Sequence, residues 1–200
     1  MTAGASKAIH LDTGDALIVV DVQNDFLPGG TLPVPDGDAV VPVLNTYLRR
    51  FAARGLPVFA TRDWHPPDHC SFQTRGGPWP PHCVAGSHGA QFAAGLALPP
   101  AAHIVPKATT PDRDAYSGFE GTDLDARLRA RRVKRLFIGG LATDYCVLNT
   151  VRDARQHGYA VLLLSDAIRA VNVHPQDGDR ALAEMQRLGA QPIQLAQLAS

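Results

Sequence analysis

Short apolar runs recur along the chain: Ala16 to Val20, Leu56 to Thr61, His103 to Val105, Val133 to Ile138, Tyr159 to Leu164, and a weaker Gln191 to Leu195. Most are continuously apolar rather than alternating, which suits parallel strands buried on both faces. Helical periodicity lies between several of them. From Gly37 to Arg54, the residues Val40, Val43, Leu44, Tyr47, Leu48 and Phe51 recur at helical spacing, and Gly55 stops the run. Thr143 to His157 opens with the capping-type residues Thr143 and Asp144 and closes at Gly158. Gln176 to Leu188 carries Ala181, Leu182, Met185 and Leu188, again before a glycine. Alternating strands and helices predict an α/β fold with a mostly parallel sheet of about six strands.

Two segments break this rhythm. Asp63 to Gly89 is rich in His, Pro and Gly and has no period; Lys107 to Gly121 is irregular and holds Tyr116, Ser117 and Gly118. A long loop in a compact domain is often functional. Ligands of open α/β sheets bind beyond the carboxyl ends of the strands. The polar residues near those ends are Asp21, Asp63, Lys107, Cys146 and Asp166, and the chemistry is expected among them.

Composition narrows the partners. The 200 residues predict a single domain, 1–200, with a substantial core. Nineteen basic residues balance nineteen acidic ones, which argues against nucleic acid or an anionic membrane surface and for a small-molecule substrate. Three cysteines, Cys70, Cys83 and Cys146, do not make a disulfide framework. Met1 to Asp15 shows no basic start followed by a long apolar run, and no apolar run is long enough to span a bilayer. A cytoplasmic protein without a signal peptide is the expectation. No pattern speaks to oligomeric state, so a homo-oligomer stays open.

Asp63 and His65 are two apart, so in extended chain they project to the same side and can converge on one ion. His69 and His82 lie further along the same loop. Imidazoles with a carboxylate suit zinc, iron or manganese rather than calcium. The same histidines also read as ordinary loop residues. A Cys₂His₂ site from His69-Cys70 and His82-Cys83 is disfavoured, because adjacent residues point opposite ways. Cys146 follows a buried strand at the start of a helix, where free N–H groups and the helix dipole favour a thiolate and can hold an oxyanion. A buried, inert cysteine is the competing reading. Asp21 is placed to exchange a proton with that thiol, and Lys107 to favour negative charge near it; taken singly, Asp21 reads first as a cap or loop-ordering residue and Lys107 as a solvated lysine.

Taken together, "ALIVVDVQNDFLPGGTLPVPDGD", "VFATRDWHPPDHCSF", "GGPWPPHCVAGSHGAQF", "AYSGFEGTDL" and "GLATDYCVLNTVRDA" span most of the chain in order. In these segments the sequence resembles the nicotinamidases of the isochorismatase-like cysteine hydrolase superfamily. The resemblance implies a three-layer α/β/α fold and one divalent metal ion, zinc, iron or manganese. It implies Asp21, Lys107 and Cys146 as catalytic residues and Asp63, His65 and His82 as metal ligands, with His69 as an optional further ligand. It also implies Phe26, Trp79 and Tyr116 around the pyridine ring, a cis Leu141–Ala142 peptide, and an oxyanion hole of the Ala142 and Cys146 N–H groups. The implied activity is hydrolysis of nicotinamide, and of pyrazinamide, to the acid and ammonia through a thioester on Cys146, with the metal orienting the ring. A related amidase acting on another small carboxamide, and a non-catalytic metal- or ligand-sensing module, are the alternatives.

Overall fold

The apolar runs pair into one sheet. The computed structural model describes residues 8–199. The strands are β1 (Asp15–Val20), β2 (Val58–Asp63), β3 (His103–Lys107), β4 (Arg135–Leu141), β5 (Ala160–Arg169) and β6 (Gln191–Ile193). All five neighbouring pairs are parallel, in the order β3-β2-β1-β4-β5-β6. The helices are α1 (Val40–Ala53), α2 (Leu124–Ala130), α3 (Leu148–Gln156) and α4 (Asp177–Arg187).

Strand alternation divides the core into two layers. Leu17, Val19, Phe137, Leu162 and Leu164 meet the α1 face through Leu44, Tyr47, Leu48 and Phe51. Ala16, Ile18, Val20, Leu136, Ile138, Val161 and Leu163 meet Leu124 and Leu128 of α2, Val151 and Ala154 of α3, and Met185 of α4. The result is the expected three-layer α/β/α arrangement. Each fully buried Leu or Phe contributes about 1.5–3 kcal/mol relative to exposure, so both layers are needed to offset the entropy of ordering the chain.

Several boundaries differ from the periodicity. β2 and β3 run two residues further, through Asp63 and Lys107, and β5 extends to Arg169. The predicted helix from Thr143 begins instead as a π-helical turn, Thr143–Val147, in which the Val147 N–H bonds to the Ala142 carbonyl, and only Leu148–Gln156 is α-helical. Asp144 caps no helix; its carboxylate accepts the Val171 and Asn172 N–H groups at 2.9 and 2.8 Å. Helix α2 was not anticipated. Residues 1–7, part of the segment read as lacking a signal peptide, lie outside the described residues. Among the described residues no helix is long and apolar enough to cross a membrane.

The order reverses beside β1, where the chain passes to β2 on one side and returns to β4 on the other. A crevice opens at the carboxyl ends of strands flanking such a reversal. Gly140 makes the approach of β1 and β4 feasible: its φ is +127°, and a Cβ there would sit 2.1 Å from the Val20 carbonyl oxygen. Gly140→Ala is therefore expected to lose at least about 4 kcal/mol of stability. Gly55→Ala, also at positive φ but with nothing within 4 Å of the added carbon, should cost only about 1–2 kcal/mol. Urea denaturation of both variants checks this; equal losses would refute the close-approach argument.

Candidate active site

Register places the polar residues. Phe59, Thr61 and Asp63 alternate onto the α3 side of β2, and Val105 and Lys107 do so on β3. Thr61 pairs with Val105 and Asp63 with Lys107, so apolar rungs give way to polar ones at the carboxyl end. Asp21 follows β1 in a left-handed conformation, φ +47°, with its N–H bonded to the Thr61 carbonyl at 3.2 Å. Cys146 lies in the π-helical turn after β4, just past the cis Leu141–Ala142 peptide.

The Lys107 ammonium is wholly buried at the centre. It lies 3.0 Å from Asp21 Oδ2 and 2.5 Å from Asp63 Oδ1, and it donates to the Ala115 carbonyl at 3.1 Å and to Cys146 Sγ at 3.4 Å. Burial opposes the Lys107 charge, yet Asp21, Asp63 and Cys146 outweigh it and hold the ammonium well above its ordinary value. Burial also raises the Asp21 carboxyl, with Asp63 adding to it and Lys107 and Thr61 opposing. Burial lifts the Cys146 thiol well above its usual value; Lys107 pulls it back, and Asp21 and Asp63 push it further up. Sulfur at rest is therefore a thiol, beside a carboxylate whose proton affinity burial has increased.

Asp63, His65 and His82 bring donor atoms within 4.8 Å of one another. His65 Nδ1 donates to the His82 carbonyl at 3.0 Å and His82 Nδ1 to the Pro80 carbonyl at 2.8 Å. A carbonyl only accepts, so Nδ1 of each ring carries a proton and Nε2 is the nitrogen left to face a metal, a common way of orienting ligand imidazoles. Burial drives the His65 pKa down to about 3, so the ring is neutral. His69 is placed differently. Its Nδ1 meets Ser71 Oγ at 2.7 Å and its Nε2 meets the Arg113 carbonyl at 3.1 Å; it groups with His65 and Asp114 rather than with Asp63 and His82. No candidate metal group among the described residues includes Cys70 or Cys83.

The loop carrying these histidines is ordered around one side chain. Phe72 is fully buried, with its ring centre 5.4, 5.7 and 5.6 Å from those of His65, His69 and His82. Asp25 secures the far end, its Oδ2 accepting the Cys83 N–H at 2.7 Å. Gln23 grips Asp63 from both sides: its Oε1 accepts the Asp63 N–H at 2.8 Å, and its Nε2 donates to the Asp63 carbonyl at 2.8 Å.

Beside Cys146 opens a cleft lined by Phe26, Leu32, Val34, Trp79, Tyr116, Ala142, Tyr145 and Val171, with Asp63 and His82 at its polar end. Phe26, Trp79 and Tyr116 thus line one cleft. Trp79 Nε1 donates to the Tyr116 hydroxyl at 3.0 Å, and the Tyr145 ring stands edge-on to Trp79, 5.1 Å between centres. Burial raises the Tyr116 phenol to about 12, so it stays protonated. Tyr145, Leu32, Val34 and Val171 were not anticipated in the wall. Asp166 does not join the site. It faces α1, where it accepts the Tyr47 hydroxyl at 3.2 Å and the Leu195 N–H at 2.7 Å.

Known proteins share this architecture. The sequence profile of the Isochorismatase domain matches residues 15–197. The nicotinamidase of Escherichia coli K12 is 41% identical over 90% of this chain and 95% of its own length. The pyrazinamidase of Pyrococcus horikoshii in complex with zinc superposes with a TM-score of 0.88 at 53% identity, over 91% of this chain and 99% of that one. PnC1 from L. infantum in complex with nicotinate also superposes at 0.88, with 38% identity over 96% and 98% of the two chains. On a match that runs from β1 to the last turn, this chain belongs to the isochorismatase family.

Proposed function

We propose that this protein is a nicotinamidase, hydrolysing nicotinamide, and pyrazinamide with it, to the acid and ammonia. The observation that carries the reading is the Cys146 thiol in contact with Lys107 and beside Asp21, at the floor of an aromatic cleft that ends in Asp63 and His82. The relatives named for this activity, and the zinc and nicotinate in the two superposed structures, support it.

In this scheme the pyridine ring enters between Phe26 and Trp79, with Tyr116 and Tyr145 completing the wall. Holding the carboxamide over Cys146 removes much of the entropic barrier. Asp21 takes the thiol proton and sulfur attacks the amide carbon. The Ala142 and Cys146 N–H groups hold the oxyanion. Asp21 returns the proton to the departing nitrogen, and ammonia leaves. Water then cleaves the thioester, with Asp21 again as base. Lys107 keeps the buried carboxylates in place and offsets the charge that develops on sulfur.

The residues fit a divalent metal. Asp63 with two imidazoles is a donor set for zinc, iron or manganese. The buried groups also carry a surplus negative charge: Asp21 and Asp63 against the single cation Lys107. When bound, such an ion supplies a Lewis-acidic anchor for the ring nitrogen, directly or through water. An amidase for another small carboxamide is less favoured, because the wall of the cleft is so largely aromatic and aliphatic. A purely sensing module has no use for the buried triad.

Purified protein should release nicotinate and ammonia from nicotinamide, lose this on chelation and regain it on metal addition. Cys146→Ala should abolish turnover while keeping the wild-type melting temperature; turnover in that variant would exclude the covalent route. Metal analysis should separate the histidines. His65→Ala and His82→Ala should each cost about 10- to 100-fold or more in metal affinity, whereas His69→Ala should retain about one ion per chain. Loss of the ion from His69→Ala alone would place that residue in the coordination shell.

A further inference from the structure

Asp21 has two carboxylate oxygens with different surroundings. Oδ1 accepts a hydrogen bond from Thr61 Oγ1 at 2.6 Å. Oδ2 is buried and receives no aligned hydrogen bond, although the Lys107 ammonium lies 3.0 Å away. The Asp21, Asp63 and Cys146 donor atoms lie within 4.8 Å of one another. Thr61 and Asp21 are both fully buried, so bulk water is not at hand to replace the hydroxyl.

Thr61 is itself held still. Its carbonyl accepts the Asp21 N–H, so one residue fixes both the backbone and the side chain of Asp21. Its Cγ2 sits where a Cβ on Gly118 would approach to 2.7 Å, and the Gly118 N–H is tied to Thr150 Oγ1 at 3.0 Å. A β-branched side chain in a central strand has little rotamer freedom, and here the methyl group fills the remaining space.

We propose that Thr61 is a positioning residue for the hydrolysis: by donating to Asp21 Oδ1 it commits Oδ2 to the Cys146 proton. This rests on the reading of Asp21 as the base for Cys146. The S–H bond breaks as an O–H bond forms on Oδ2, and the sulfur electron pair makes the S–C bond while the carbonyl π pair moves onto oxygen. When that pair returns, the C–N bond breaks, and nitrogen leaves as ammonia with the proton from Oδ2. With Oδ1 already accepting a hydrogen bond from Thr61, Oδ2 is the oxygen left to carry the proton between sulfur and the departing nitrogen.

The test uses metal-loaded protein and steady-state hydrolysis of nicotinamide. Thr61→Val keeps the shape and loses the hydroxyl. Thr61→Ser and Thr61→Ala both lose the methyl group and differ only in the hydroxyl, so they remain informative if the valine variant does not fold. Val and Ala should lower kcat about 10- to 100-fold, with KM within about twofold of wild type, because the ring pocket is untouched. Ser should recover most of kcat. Wild-type kcat in Val or Ala overturns the proposal. So does a Ser variant as slow as Ala, or a loss expressed in KM instead of kcat. Wild-type protein that releases no nicotinate sinks the assigned activity and this proposal with it; an active wild type with unaffected Thr61 variants sinks the proposal alone.

Discussion

A single buried ammonium organises this molecule. Lys107 has no solvent, and its contacts with Asp21, Asp63, the Ala115 carbonyl and Cys146 come from four separate parts of the chain. Desolvating a charge costs several kcal/mol, which is recovered only when the partners are in place with good geometry. Removing the lysine would strand two carboxylates in the interior, and removing either carboxylate would unbalance the rest. The arrangement is therefore tied to sheet register. Asp63 pairs directly with Lys107, and the rung below joins Thr61 to Val105. A one-residue slip of β3 would turn Lys107 to the opposite face. Correct folding of the parallel sheet and assembly of the reactive groups are the same event.

The histidine-rich segment solves a different problem. It has almost no regular structure, yet it brings the His65, His69 and His82 rings together. It does so with a small core of its own, the Phe72 ring among three histidines, and with two polar ties from the segment after β1. Gln23 holds the Asp63 backbone and Asp25 holds Cys83, next to His82. Gly89 belongs to this device: a Cβ there would lie 2.0 Å from the Asp25 carboxylate, so the loop closes over Asp25 only with glycine at that position. Buried polar side chains whose bonding capacity is met in this way rigidify a loop that periodic hydrogen bonding cannot reach.

How much was legible follows from where each signal resides. The six strands and three of the four helices announce themselves because burial of a regular element leaves a period in the sequence. The ends of β2 and β3 carry no such period, since Arg62, Asp63 and Lys107 break the apolar run where the strands reach the cleft. Helix α2 is too short for periodicity, with Leu124 and Leu128 its only buried residues. Cys146, Asp21 and the histidines could be picked out by residue type and position. Thr61 and Gln23 could not: a threonine in a strand and a glutamine in a turn are ordinary, and only the fold shows that they face Asp21 and Asp63. Asp166 misled for the converse reason. A carboxylate within β5 near its carboxyl end looks functional until the strand's twofold alternation puts it on the α1 side.

The cleft divides its labour between scaffold and loops. Asp21, Lys107 and Cys146 come from the ends of β1 and β3 and the turn after β4, where sheet hydrogen bonding fixes them. Most of the apolar wall comes from irregular chain: Phe26, Leu32 and Val34 after β1, Trp79 in the histidine segment, Tyr116 before α2 and Val171 after β5. Asp144 joins the two systems, anchoring the backbone beside Val171 from within the turn that carries Cys146. Loops tolerate change that a buried ion network does not. On the proposed reading, substitutions in the wall alter which carboxamide fits without moving Cys146, whereas a change at Lys107 acts on the buried network and the fold together. For that reason the strand-end residues speak to the reaction class, while the identity of the substrate is carried by the shape and polarity of the wall.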